Sequence, residues 1–231
     1  MKTLLDRLMI RRERDGQQMP ITGATYVVVD TELTGLDERK DSIVSIGAVK
    51  MVGGRIEMGS SFYRLVHPER KLTAESIVIH GITPSDVEMK PDIAATLAEF
   101  LEYCGDSILV GHCLCIDLSF INREMKRLYG INLQNPAIDT FSLYQWMKGR
   151  LSGHRLFSAP LRDFRLYEMA ECFGVPVHEA HNALMDAYIT AQLFQRFIPL
   201  LNEGGINTIG ALLRAGDPFK GGDSHILMGS M

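Results

Sequence analysis

An α/β fold, built on a five-stranded mixed sheet flanked by helices, is what this chain of 231 residues predicts. Three observations lead there. Short β-branched runs come early, at residues 25–30 and on either side of Gly53-Gly54. Helical periodicity takes over from residue 73. Two further short apolar segments, at 107–110 and 138–139, interrupt the helices and supply the fourth and fifth strands. The length suits one domain that buries its core without covalent staples.

Taken in order, the opening MKTLLDRLMIRRERDG places Leu4, Leu5 and Leu8 on one side, while Asp6, Arg7 and Glu13 break its apolar stretches. It reads as an amphipathic helix in an N-terminal extension over 1–22, and not as a signal peptide. TYVVVD, residues 25–30, is a buried strand ending in an acid, and TELTGLDERKD continues it into a turn. IVSIGAVKMV (43–52) and IEMGSSFYRLV (56–66) flank Gly53-Gly54, a two-residue hairpin signal, so the first three strands are antiparallel neighbours. A short helix is expected over 73–79, and Thr83-Pro84 is an N-cap followed by proline at the first helical position. Residues 92–103 carry Ile93, Leu97, Phe100 and Leu101 at helical spacing. Helices over 117–129, 140–148, 164–173 and 183–198 complete a body spanning 23–200. Glycine and proline crowd 201–231, which reads as a short helix near Ile209 to Arg214 and a flexible tail.

Composition removes several classes. No apolar run reaches the roughly 18 residues that span a bilayer, so a cytoplasmic protein without a membrane partner is expected. Cys104, Cys113, Cys115 and Cys172 form no CxxC pair, which points to reduced thiols and not to zinc or disulfides. A net charge of −4 excludes a basic field over the whole molecule and argues against a tight, nonspecific duplex binder. Nucleic acid remains open, because bound cations can offset clustered carboxylates.

The chemistry sits in three short segments. Asp30 and Glu32 are two residues apart, so strand geometry puts both on one face, where they repel unless a cation lies between them. Asp117 opens a helix after LVGHCLCID, where a first-turn acid also complements the helix dipole. His181 and Asp186 would stand about 140° apart if both were helical. The pair works if His181 precedes the helix and Asp186 lies one turn inside it. Taken singly, each of these residues also has an ordinary reading as a loop acid, a dipole partner or a capping histidine.

In this order the segments DTELTG (30–35), GHCLCIDLSFI (111–121) and HNALMD (181–186), with IHGIT (79–83) between the first two, resemble the DnaQ-like branch of the DEDD exonucleases. Asp139, in AIDT, stands where that family often has an acid before a helix. The resemblance covers about residues 25–198 and implies a ribonuclease-H-like fold. It implies that Asp30, Glu32, Asp117 and Asp186 hold two divalent ions, Mg²⁺ or Mn²⁺, with His181 as general base. Carboxylate oxygens are hard ligands for such ions. Two ions about 4 Å apart can stabilise attacking and leaving oxygens in an in-line displacement. A histidine with a near-neutral pKa can accept the proton of the attacking water.

The implied activity is 3′→5′ hydrolysis of single-stranded ends, DNA favoured, releasing nucleoside 5′-monophosphates. RNA trimming, or a noncatalytic module associated with nucleic acid or a polymerase, is the alternative. A DNA polymerase or a second copy of the chain is the expected protein partner. Leu33, Thr34 and Gly35 are expected at the terminal nucleotide. His80 has two readings, a turn-fixing residue or one at the substrate rim. His112 begins a second H-x-x-x-x-D with Asp117 and is read as structural or as a substrate contact. Lys148, Arg150, Arg155, Arg162 and Arg165, interleaved with Phe157 and Phe164, would track phosphates and stack on bases, or form a solvated loop. The chain departs from the family at Leu33, often threonine, at Cys113, often asparagine, and at Ile116, often phenylalanine.

Overall fold

A computed structural model describes residues 15–157, 164–177 and 181–220. Strands β1 (Thr25–Leu33), β2 (Ile43–Val52) and β3 (Arg55–Leu65) come first, with β4 (Ile108–Gly111) and β5 (Ala137–Asp139) later. They form one sheet in the order β3-β2-β1-β4-β5, antiparallel across β3-β2-β1 and parallel across β1-β4-β5. This is the mixed five-stranded sheet the sequence predicts. The hairpin closes at Gly53-Gly54, where Gly53 has φ 57°, a left-handed conformation that glycine takes without penalty.

β1 runs three residues further than the expected strand end at Asp30. Thr31 and Glu32 stay paired with Ile46 and Ser45, and the ladder slips only between Glu32 and Leu33. Both acids therefore sit within a central strand and not in a turn.

The strand pleat divides the core in two. Tyr26 and Val28 join Val49, Met51, Val110 and Ile138 on one face. That face is covered by α5 (Thr140–Arg150), α7 (Ala183–Glu203) and α8 (Ile209–Ala215), through Tyr144, Phe194, Phe197 and Leu212. Val27 and Val29 join Ile46, Ala48 and Leu109 on the other. There α3 (Ile93–Cys104) and α4 (Cys115–Tyr129) pack through Leu97, Phe100, Leu118 and Phe120. The short helices α1 (Ala74–His80) and α2 (Pro84–Val87) follow β3, and α6 (Leu166–Cys172) precedes α7. α7 runs past Pro199 to Glu203, five residues beyond the expected end, because Leu200 and Leu201 remain buried in the core.

Residues 15–23 and 201–217 belong to the body and are not appendages. Ile21 N donates to Asn207 O (3.1 Å), and Ile209 N donates to Met19 O (2.9 Å). Ile206, Ile209 and Leu212 are buried with Ile21 in the first core cluster. The expected boundaries at 22 and 200 thus mark no break in packing. The predicted helix over the first residues and the predicted tail after 220 lie outside the described residues. No helix among the described residues is long and apolar enough to cross a membrane.

Candidate active site

Asp30 and Glu32 project from β1 on the face of Tyr26 and Val28, the face α7 covers. Asn182 caps α7, its side chain accepting from Leu184 N and Met185 N at 3.1 and 3.3 Å. His181 therefore precedes the helix and Asp186 lies in its first turn, as the spacing required. What brings this turn to β1 is Gly47 on β2, the pairing partner of Asp30. A Cβ at Gly47 would lie 2.2 Å from both the Ala183 carbonyl carbon and Leu184 N. Only a bare backbone lets the helix start so close to the sheet. As a result, Asp30, Glu32 and Asp186 present carboxylate oxygens that all lie within 4.8 Å of one another.

Asp117 arrives from the other side. It is buried in the first turn of α4, and its Oδ1 accepts from Thr31 N at 3.0 Å and from Thr31 Oγ1 at 2.6 Å. Thr31 lies between the two acids in sequence, so its side chain points to the opposite face, where α4 packs. One strand thus supplies two acids to one face and a clamp for a third acid to the other.

The site is charged against itself. Burial pushes the Asp30 carboxyl well above the usual range, and the like charges of Asp117, Asp186 and Glu32 push it further. Burial, then Asp186 and Asp117, raises Glu32 to about 8. Burial raises Asp117 to about 7 against the opposing pull of the Thr31 hydrogen bonds. Asp186 is also raised by burial, with the Tyr167 hydroxyl and His181 opposing. Glu32 Oε1 is buried without a hydrogen-bond partner among the described residues. Hard oxygen donors this close, with one of them unpartnered, suit a divalent cation.

His181 is exposed and takes φ 61°, unusual for a residue with a side chain. Its backbone N donates to the Tyr167 hydroxyl at 2.6 Å, and the same hydroxyl lies 2.9 and 2.7 Å from the two Asp186 oxygens.

The expected substrate contacts divide. Leu33 is half-buried against the second core cluster. Thr34 is turned into its own loop, its hydroxyl donating to Asp41 Oδ1 and accepting from Ser42 N, each at 3.0 Å. At Gly35 a Cβ would meet the Asp41 carboxylate at 2.5 Å, so the glycine lets that loop close. His80 Nδ1 accepts from Ile82 N at 3.0 Å, which leaves the proton on Nε2. That donor is buried with no acceptor among the described residues. Both ring nitrogens of His112 are engaged within the protein, Nδ1 with Thr140 Oγ1 (2.9 Å) and Nε2 with Phe164 O (2.8 Å), and burial pushes its pKa down. Asp139 caps α5 and accepts from Leu114 N and Ser142 N. Of the aromatics expected to stack on bases, Phe157 is buried against Tyr144 and Phe173, and Phe164 packs on Phe141. Both serve the core. Arg162 lies outside the described residues.

Three residues escaped the sequence reading. Gly47 had a signal, since a glycine inside a strand marks a close backbone approach. Thr31 had a weaker one, as the alternate position in D-x-E. Tyr167 had none, lying 14 and 19 residues from the groups it touches.

The family model described as "Exonuclease" matches residues 27–194, which include all four acids and His181. DNA polymerase III subunit epsilon of Aquifex aeolicus is 34% identical over 174 residues, 75% of this chain and 80% of that protein. The PolC-type DNA polymerase III of Thermotoga maritima is 35% identical over 194 residues, 84% of this chain but 13% of that much longer protein. Among solved structures, Exonuclease X in complex with 5′ overhanging duplex DNA superposes with a TM-score of 0.60 at 25% identity, covering 83% of this chain and 99% of that one. The fold is ribonuclease-H-like. From its sheet to its acidic site, this chain belongs to the exonuclease family, among the DnaQ-like members related to polymerase III epsilon.

Proposed function

We propose that this chain is a divalent-metal-dependent exonuclease that removes nucleotides from the 3′ ends of single-stranded nucleic acid, DNA favoured, as nucleoside 5′-monophosphates. The observation that carries it is the set of three carboxylates within 4.8 Å, with Asp117 held by Thr31 of the same strand and His181 just before the helix that carries Asp186. Asp30, Glu32, Asp117 and Asp186 would hold two ions, Mg²⁺ or Mn²⁺. Such ions supply Lewis acidity to the attacking and leaving oxygens of a phosphodiester.

The rest falls to side chains of this chain. His181 accepts the proton of the attacking water as its oxygen bonds to phosphorus. The bond from phosphorus to the 3′ oxygen breaks, and that oxygen takes a proton from solvent water, leaving a shortened strand with a free 3′-hydroxyl. Thr31 keeps Asp117 in place, and Asn182 fixes the start of α7. Leu33 and Gly35 border the terminal nucleotide. The Aquifex relative is named as a polymerase subunit, which supports a DNA polymerase as the partner and the cytoplasm as the setting.

Digestion of 5′-labelled single-stranded DNA and RNA of one sequence, with Mg²⁺, Mn²⁺ or EDTA, tests the reading. A metal-dependent ladder shortening from the 3′ end is expected, faster for DNA. Faster RNA shortening would make this an RNA-trimming enzyme. No shortening of either, by folded protein with metal present, would leave a noncatalytic binding module.

A further inference from the structure

Tyr167 belongs to none of the motifs, yet its hydroxyl stands between the two parts of the third one. Its ring is set in a small core cluster with Leu166, Ala170, Val175 and Ile189, so the phenol is directed by packing. The hydroxyl accepts the His181 backbone N–H at 2.6 Å. Its single proton faces Asp186, nearest Oδ2 at 2.7 Å, and His181 Nδ1 is 3.4 Å away. The two rings meet edge to face, with centroids 5.1 Å apart at 85°.

This contact falls where the backbone needs it. His181 has φ 61°, a conformation that costs a residue with a Cβ on the order of 1–2 kcal/mol. A side chain exposed to solvent cannot hold that shape by burial. A hydrogen bond to its own N–H, from a phenol fixed in the core, can.

We propose that Tyr167 is a positioning residue for the reaction, acting through His181. Its hydroxyl holds the His181 backbone in the left-handed conformation, and its ring contact sets the imidazole relative to Asp186. The inference rests on the proposed role of His181 as proton acceptor. It assigns Tyr167 no contact with substrate and no share in the chemistry.

Tyr167→Phe, which keeps the ring and removes the hydroxyl, tests it beside His181→Ala and the double variant. Single-turnover cleavage of 5′-labelled DNA gives the rate, and calorimetric titration of Mn²⁺ into the substrate-free protein gives the ion affinity. His181→Ala is expected to slow cleavage by about 10²–10⁴-fold. Tyr167→Phe is expected to slow it by about 10²-fold, the scale of a misplaced catalytic group, with KM and Mn²⁺ affinity unchanged. In the His181→Ala background, Tyr167→Phe should then change nothing further, because residues that act as a unit are not additive.

Multiplying losses in the double variant would overturn the proposal, as would an unchanged Tyr167→Phe rate. A loss of Mn²⁺ affinity parallel to the rate would also overturn it, by making Tyr167 a support for Asp186. In the wild-type protein, nuclear Overhauser contacts between the His181 imidazole and the Tyr167 ring are expected. Their absence would overturn the contact whatever the variant does. If the wild type itself shows no metal-dependent shortening, the activity reading fails and takes this inference with it. If the wild type and His181→Ala behave as expected and Tyr167→Phe does not, only this inference fails.

Discussion

Two buried acids on one helix have opposite surroundings. Asp117 and Glu124 stand seven residues apart on α4, two turns along nearly the same stripe. Glu124 is met by its own chain. Arg123 donates to Oε1 through Nε at 2.9 Å and Arg127 donates to Oε2 through Nε at 2.7 Å, while Arg127 also pairs with Glu69 at 3.0 Å. Arg123 continues to the carbonyls of Glu38 and Asp41 and ties the loop after β1 to the helix. Asp117 has Thr31 for support and three further acids for company. A buried charge is retained where something opposes it. At Glu124 the opposing charge is in the sequence. At Asp117 the sequence gathers more of the same sign, the arrangement that the proposed cations would offset.

Removing a proposed ligand breaks this contrast most severely. Asp30→Ala should abolish turnover in Mg²⁺ or Mn²⁺ and weaken Mn²⁺ binding in calorimetry, with the fold intact by circular dichroism. A folded variant with wild-type activity would remove the metal-site assignment. Gly47→Ala acts on the same cluster through geometry. The new methyl must displace the first turn of α7, costing about 1–3 kcal/mol and separating Asp186 from Asp30. A rate loss of about 10²-fold is expected from such a shift, read by cleavage assay together with urea denaturation.

The opposite outcome is expected at the far end of α4. Glu124→Gln turns an amide toward two guanidinium groups and should cost about 1–3 kcal/mol, with kcat and Mn²⁺ affinity unchanged. A drop in Mn²⁺ affinity would mean that the two acidic clusters are not independent.

The pH dependence of the metal-free protein sharpens the comparison. Asp30, Glu32, Asp117 and Asp186 all have raised pKa values, so the folded chain keeps protons that the unfolded chain has already released. Stability in EDTA should therefore fall as pH rises from the ordinary carboxylate range to about 8, where Glu32 titrates. Each kcal/mol lost lowers the midpoint by about 2–4 °C. Mn²⁺ should flatten the curve, as scanning fluorimetry would read. A midpoint rising over this window in EDTA would contradict the account of the cluster.

The smallest effect is expected at Cys113, which has φ 54°. Asparagine, often found there in the family, tolerates that conformation better than cysteine. Cys113→Asn should raise stability by at most about 1 kcal/mol, measurable by urea denaturation.

The two-residue spacing of Asp30 and Glu32 fixed their common face, because a strand's side chains alternate whatever it packs against. The five-residue spacing of His181 and Asp186 likewise required a helix start between them. Both inferences are local, and local geometry is carried by neighbouring residues. The Gly53-Gly54 turn and the cap at Thr83 were readable for the same reason. The ends of β1 and α7 were not. Pairing with β2 carries β1 past Asp30, and burial of Leu200 and Leu201 carries α7 past Pro199.

The sequence by itself determined which elements form, their order, and which side chains could bear the chemistry. Tertiary structure decided how the elements meet. It set α7 against Gly47, turned Thr31 to hold Asp117, placed the Tyr167 hydroxyl on His181, and drew residues 206–212 into the core. Each of these contacts joins residues far apart in the chain, so each is set by how whole faces pack and not by any short pattern.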